Sequence, residues 1–238
     1  MRQIQILYVL FAFTISSCIY GQYKPKVTGS GKVVTEERKA GYFDAIRVST
    51  GIDVYLTQGA SERIAVEADD NLHEYIMTEI SGNTLKIYTE ANIRKAERKR
   101  VYVTMKDVKE LSASSAGDIV GKNSITTDEL FLSASSAGDI ELQIKAQKVE
   151  CKLSSSGDMT LEGEADELDA DLSSAGSLKA YDLVVKVADI TTSSAGDARI
   201  TVTEKLRARA SSAGDIYYAG DPKEVDAHSS SAGGIHKK

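Results

Sequence analysis

The chain has 238 residues, a formal net charge of −6 and 42% hydrophobic residues. That balance excludes a general attraction to nucleic acid or anionic lipid, and the length is enough for one sizeable core. Strand-forming residues are plentiful, and there are two prolines and no tryptophan.

Residues 1–21 carry Arg2, an apolar run from Ile4 to Ile15, and then Ser16 and Ser17. This is the order of a secretory signal peptide, and the run is too short to span a bilayer. Two cuts compete. Ile15-Ser16-Ser17-Cys18 has the form of a bacterial lipobox, which makes Cys18 a lipid-bearing N-terminus. Tyr20-Gly21-Gln22 suits an ordinary cut after Gly21. With either cut Cys18 is acylated or removed, so no intrachain disulfide is expected. Cys151 alternates with Val149 and Leu153 and is expected to be a small buried hydrophobe. Residues 22–42 read as an extension and residues 43–235 as the folded domain.

Within that domain, residues 43–105 are strand-like without a clear repeat. Ile46 to Leu56 looks like a divergent first coil, and Asp70 to Ile76 like a short helix started by an Asp or Asn cap. From residue 106 a repeat dominates. The motif Ser-Ser-Ala-Gly-Asp, with small variations, recurs seven times, its glycines at Gly117, Gly138, Gly157, Gly176, Gly196, Gly214 and Gly233. The spacing is about 19 residues, and apolar residues alternate on either side of each copy. Period two is the strand signal.

One such unit cannot bury its apolar face, but stacked units can. The pattern predicts an all-β parallel β-helix of about seven regular coils, roughly 30 Å long at one strand spacing per coil. The segment 43–105 then acts as an atypical β cap over one end. Equivalent residues should stack in columns. Ser115, Ser136, Ser155, Ser174, Ser194, Ser212 and Ser231 are expected inside. Beside them the glycine column should mark positive φ or a close approach.

Gly51-Ile52-Asp53-Val54-Tyr55-Leu56-Thr57-Gln58-Gly59, Asp69-Asp70-Asn71-Leu72 and Gly82-Asn83-Thr84-Leu85-Lys86-Ile87, followed by the Ser-Ala-Gly-Asp coils, resemble the head GIN domain of autotransporter adhesins, a domain of unknown function. The resemblance spans Phe43 to Ile235, with Asp53 where the family name has asparagine. It implies an exported parallel β-helix of Gram-negative bacteria and an adhesive role. No outer-membrane barrel of the chain's own is visible after Ile235.

Three surfaces carry candidate chemistry. Asp118, Asp139, Asp158, Asp197 and Asp215 would stack about 5 Å apart, where like charges repel unless solvent or a cation relieves them. Calcium is the natural cation for such a ladder, but the preferred reading is that each Asp caps its own bend through an Asx-turn. Ser177 and Gly234 interrupt the column. A stripe of small outward residues, Ser114 and Ala116 and their equivalents, could dock a glycan, an envelope protein or a second copy, though a tight corner explains the same residues. The basic run Arg94, Lys95, Arg98, Lys99 and Arg100 could meet phosphates, although Glu97 within it favours a solvated loop.

Catalytic motifs are absent from the sequence, and His73, His228 and His236 are scattered. The expected function is a non-catalytic envelope or surface module for adhesion or assembly, with no cofactor unless calcium fills the ladder. Its expected location is the periplasm, the outer membrane as a lipoprotein, or the cell surface, touching the membrane only through a lipid. The alternatives are a carbohydrate-active β-helix enzyme, such as a polysaccharide lyase or hydrolase, and a periplasmic structural or regulatory partner.

Overall fold

The computed structural model describes residues 24–238. The signal peptide, both cleavage sites and Cys18 lie outside the described residues. The cap holds β1 (Lys26–Thr28), β2 (Val33–Arg38), β3 (Ala45–Val48), β4 (Asp53–Gln58) and β5 (Arg63–Asp69). It continues with β6 (Ile76–Ser81), β7 (Thr84–Thr89), β8 (Asn92–Lys95) and β9 (Lys99–Met105). The regular coils hold β10 (Glu110–Ser114), β11 (Asp118–Gly121), β12 (Ile125–Ser135), β13 (Asp139–Ser154), β14 (Asp158–Leu172), β15 (Ser177–Thr192), β16 (Asp197–Ala210), β17 (Asp215–Ala219), β18 (Glu224–Ser229) and β19 (Gly234–Lys237).

The coils pair in parallel, each on the next. β12 to β16 run through a bend and so pair on both sides of the coil. Inward residues form unbroken columns. Ile46, Leu111, Leu132, Cys151, Ala170, Ile190 and Ala208 lie in register and are all buried. Cys151 is the buried hydrophobe that its alternation predicts, and burial pushes its thiol well above the ordinary range.

The expected first coil is present. β3 pairs in parallel with β10 and β4 with β11, which brings Asp53 opposite Asp118. Beyond them the two sides of the coil are extended differently. On one side β4 is followed by β9, β5 and β2, the last two joined antiparallel; on the other β3 is followed by β7 and β6. Phe43 and Leu72 in this region are fully buried. At the far end, β18 carries Val225, 44% exposed, among charged neighbours of the kind that discourage edge pairing.

The predicted helix from Asp70 to Ile76 shrinks to one 3-10 turn, Asp70–Leu72, and Asp69 before it makes no capping bond. The Asp69 carboxylate instead accepts from the amides of Gly31, Glu97 and Arg98 at 2.8, 2.9 and 3.1 Å. It ties the β1–β2 and β8–β9 connections together. Burial opposes its ionisation, but these amides outweigh burial and hold the carboxyl below its usual range.

The turn that closes each coil differs from expectation in an instructive way. Left-handed φ falls on the second serine and the alanine, as at Ser136 (52°) and Ala137 (58°), and not on the motif glycine. Two successive left-handed residues and the bond from the Gly138 amide to the Ser135 carbonyl (3.0 Å) make a type I′ turn. The tip points away from the core, so Ser115, Ser136 and their equivalents are exposed instead of inside. The alternation does resume on the same parity after the tip: Ala134 and Gly138 are both buried.

The glycine is required by crowding. A Cβ on Gly138 would sit 2.6 Å from the carbonyl carbon of Ala113 in the preceding coil. At Thr50-Gly51, the first turn of the column, both residues have left-handed φ (64° and 66°), and Ile52 fills the position of the motif glycine. An isoleucine fits there because β7 and β9, which lie beneath, are not joined by such a turn. The turns bond along the stack, as the Ala116 amide does to Ser136 (3.1 Å) and the Ala137 amide to Ser155 (3.2 Å). These bonds offset part of the strain of left-handed non-glycine residues, about 1 kcal/mol each.

Candidate functional site

The aspartate column is real in register. Asp53, Asp118, Asp139 and Asp158 are successive partners, then Ser177, Asp197, Asp215 and Gly234. Its hydrogen bonding runs along the stack, the Asp139 amide donating to the Asp118 carboxylate of the coil before it at 3.3 Å. Burial first, and then the neighbouring carboxylate, raise the carboxyls of Asp118 and Asp139. Asp197 is also raised by burial, against the pull of Arg199 at 2.9 Å. Where Ser177 interrupts the column, Lys179 reaches Asp158 at 3.3 Å. Among the described residues no group of three or more His, Cys, Asp or Glu side chains is placed to hold a metal ion.

The structure disperses the basic run. Arg94 and Lys95 lie on β8, Arg98 pairs with Glu97, Lys99 bonds the Gly51 carbonyl, and Arg100 lies over the Tyr55 ring. The histidines are also apart. His73 is buried, with Nδ1 3.4 Å from Glu36 and Nε2 3.3 Å from the carbonyls of Val34 and Ala68. His228 pairs with Asp226, and His236 stacks on Tyr217 at 4.9 Å.

A system of adjoining polar grooves and a separate small slot indent the surface. One groove, about 880 Å³, is open and polar at the bend edge, lined by Gln58, Asp128, Gln147, Lys148 and Asp166 among others. The slot, about 240 Å³, lies on the cap between β2 and β9 and is lined by Thr35, Glu37, Arg63, Ala65, Tyr102 and Thr104. Beside it Tyr102 stacks on Tyr55, ring centres 5.4 Å apart, and its hydroxyl bonds Glu67 at 2.9 Å. Neither surface was anticipated from the sequence. The available signal was Tyr55 and Tyr102 on the outward parity of two apolar strands; that the strands are adjacent could not be read.

The fold and this surface define an all-β parallel solenoid with no helix among the described residues long and apolar enough to cross a membrane. The chain belongs to the family described as "Putative auto-transporter adhesin, head GIN domain", which matches residues 42–222. Solved structures share the fold. A "putative adhesin" from Bacteroides fragilis is 23% identical with a TM-score of 0.81, covering 89% of this chain and 100% of that one. A "putative adhesin" from Parabacteroides merdae is 23% identical with a TM-score of 0.71, covering 90% and 99%. A "putative lipid binding protein" from Parabacteroides distasonis is 23% identical with a TM-score of 0.72, also covering 90% and 99%. None of the functionally curated proteins matches the chain.

Proposed function

We propose that this protein is a non-catalytic, exported module that presents its β-helical faces for adhesion or assembly at the cell envelope. The observation that carries this reading is the in-register stack. Hydrogen bonds join every coil to the next, so outward side chains stand in fixed columns. A preordered surface of this kind binds without paying to order itself first. Membership in an adhesin family supports the same reading.

Protease treatment of whole cells, with the intact mass of the native protein, tests it. Surface cleavage together with an acylated Cys18 supports an adhesin on a lipid tether. Protection from protease with a free N-terminus at Gln22 would sink the adhesive role and leave a periplasmic partner in its place.

One observation favours a second reading, a carbohydrate-active enzyme. Asp158 with Lys179, and Asp197 with Arg199, put acidic and basic groups side by side on one face. Polysaccharide cleavage that is lost in Asp197→Ala would establish that activity. The absence of cleavage across uronate-containing and neutral polysaccharides would reject it.

A further inference from the structure

We propose that the slot beside Tyr102 binds a terminal pyranose ring of a neutral glycan. This rests on the adhesive reading and names its ligand class.

The slot is built by a row of residues across four neighbouring strands. Glu37 on β2, Ala65 on β5, Tyr102 on β9 and Tyr55 on β4 are successive partners. Their parity turns them outward, away from the core residues Ile64, Val66, Val101 and Val103. Ala65 ends at a methyl and is 7% exposed, so the floor lies low beneath its taller neighbours. The walls stand two strand spacings apart, about 10 Å between backbones. One wall is the Tyr102 ring, and Tyr102 is 38% exposed. Tyr55 backs that ring from the far side and is itself braced by Arg100 and Lys122 over its ring. The free face of Tyr102 is therefore held over the slot.

The opposite wall is the Arg63–Glu37 pair, whose guanidinium also donates through Nε to Glu37 at 3.2 Å. Thr35 and Thr104 add hydroxyls.

This chemistry selects its occupant. An aromatic face takes an apolar ring face. A guanidinium, a carboxylate and two hydroxyls offer donors and acceptors in the arrangement that vicinal hydroxyls need. The charges already cancel, Arg63 against Glu37 and Arg100 beside Glu67, so an anionic ligand gains nothing by entering. The volume, about 240 Å³, falls below the roughly 300 Å³ at which drug-sized sites begin. A single sugar ring is the ligand that is flat and apolar on one face, polar at its rim, uncharged and small enough.

Saturation-transfer NMR and titration with the methyl glycosides of glucose, galactose, mannose and N-acetylglucosamine test the proposal on the purified chain. At least one glycoside should bind, with a dissociation constant on the order of 1 mM. Tyr102→Ala should weaken it by about tenfold or more, the equivalent of one ring contact. Ala65→Leu enlarges this buried floor residue and should abolish binding. His236→Ala, at the other end of the rod, should leave it unchanged. Melting curves confirm that each variant is folded.

If no glycoside binds the wild-type chain, or if binding survives in Ala65→Leu, the slot is not the site. The adhesive reading fails separately, when the wild-type chain adheres to no host or envelope surface.

Discussion

The cap and the regular coils are built on the same backbone but held in different ways. In the coils one solution is repeated. A type I′ turn, a crowding-enforced glycine and a ladder of parallel bonds recur with little dependence on particular side chains. In the cap, antiparallel strands and irregular connections meet, and single side chains fix them. Asp69 ties two connections, Gln58 exchanges bonds with Asn123 and Thr126, and Tyr55 braces Tyr102. Repetition spreads stability over the rod, and individuality concentrates in the cap. The built slot is found where the chain is least repetitive.

Substitutions in the two regions should fail in different ways. The largest effect is expected from Gly138→Val in the middle of the stack. Its side chain would meet backbone of the preceding coil, which cannot yield as a side chain would. A loss of about 3 kcal/mol is expected, read as a lower midpoint in denaturant. An unchanged midpoint would show that the coils can spread apart.

Asp69→Ala comes next. It leaves three amides without their buried acceptor and should lose about 2–3 kcal/mol. Hydrogen exchange should quicken in the β1–β2 and β8–β9 connections ahead of the coils. Uniform quickening along the rod would show that cap and coils unfold as one unit.

Asp118 and Asp139 in the coils and Asp69 in the cap respond to pH with opposite sign. Asp118 and Asp139 have raised pKa in the folded chain, so the folded state binds more protons than the unfolded between the usual 3.8 and the raised value. Their contribution falls as pH rises through that window and is fully present below it. Asp69 has a lowered pKa, so its contribution is present above 3.8 and is lost as pH falls through the lowered value. Asp139→Asn should therefore raise stability at neutral pH by about 0.5 kcal/mol, from relief of like-charge neighbours, and shrink the gain on mild acidification. Thermal melts at pH 7 and pH 4.5 check both points. Added calcium raising the wild-type melting temperature, but not that of Asp139→Asn, would instead identify the column as a cation ladder.

The smallest effect is Ala137→Gly. Relief of the left-handed alanine exceeds the added chain entropy by a few tenths of a kcal/mol, roughly 0.5 in favour of folding. A rise for Ala137→Gly and a fall for Gly138→Val would place the left-handed strain on Ser-Ala and the crowding on glycine.

Much of this molecule was legible because repetition amplifies local rules. Seven copies of a motif with alternating flanks specify coils, register and buried columns, and Ile46 to Leu56 is legible as a divergent first coil, although the place of Asp53 in the aspartate column is not. Within the motif the assignment failed at Ser136, because strict alternation was carried through a turn whose two left-handed residues turn their side chains outward. It failed again at Asp70–Ile76, because a capping residue identifies a helix only if the carboxylate bonds locally, and Asp69 finds distant amides instead.

The solenoid, its period and the buried residues of its regular coils are legible in the chain alone, because they follow from contacts one coil apart that every repeat states again. Which residues of the turn bear the strain, where the basic run disperses, and the single row of Glu37, Ala65, Tyr102 and Tyr55 emerge only from the folded chain. The basic run and the row lie on strands of the cap that are distant in sequence and paired only once, so no periodicity announces them; the turn strain recurs in every coil, but it follows from backbone dihedrals that side-chain alternation does not report.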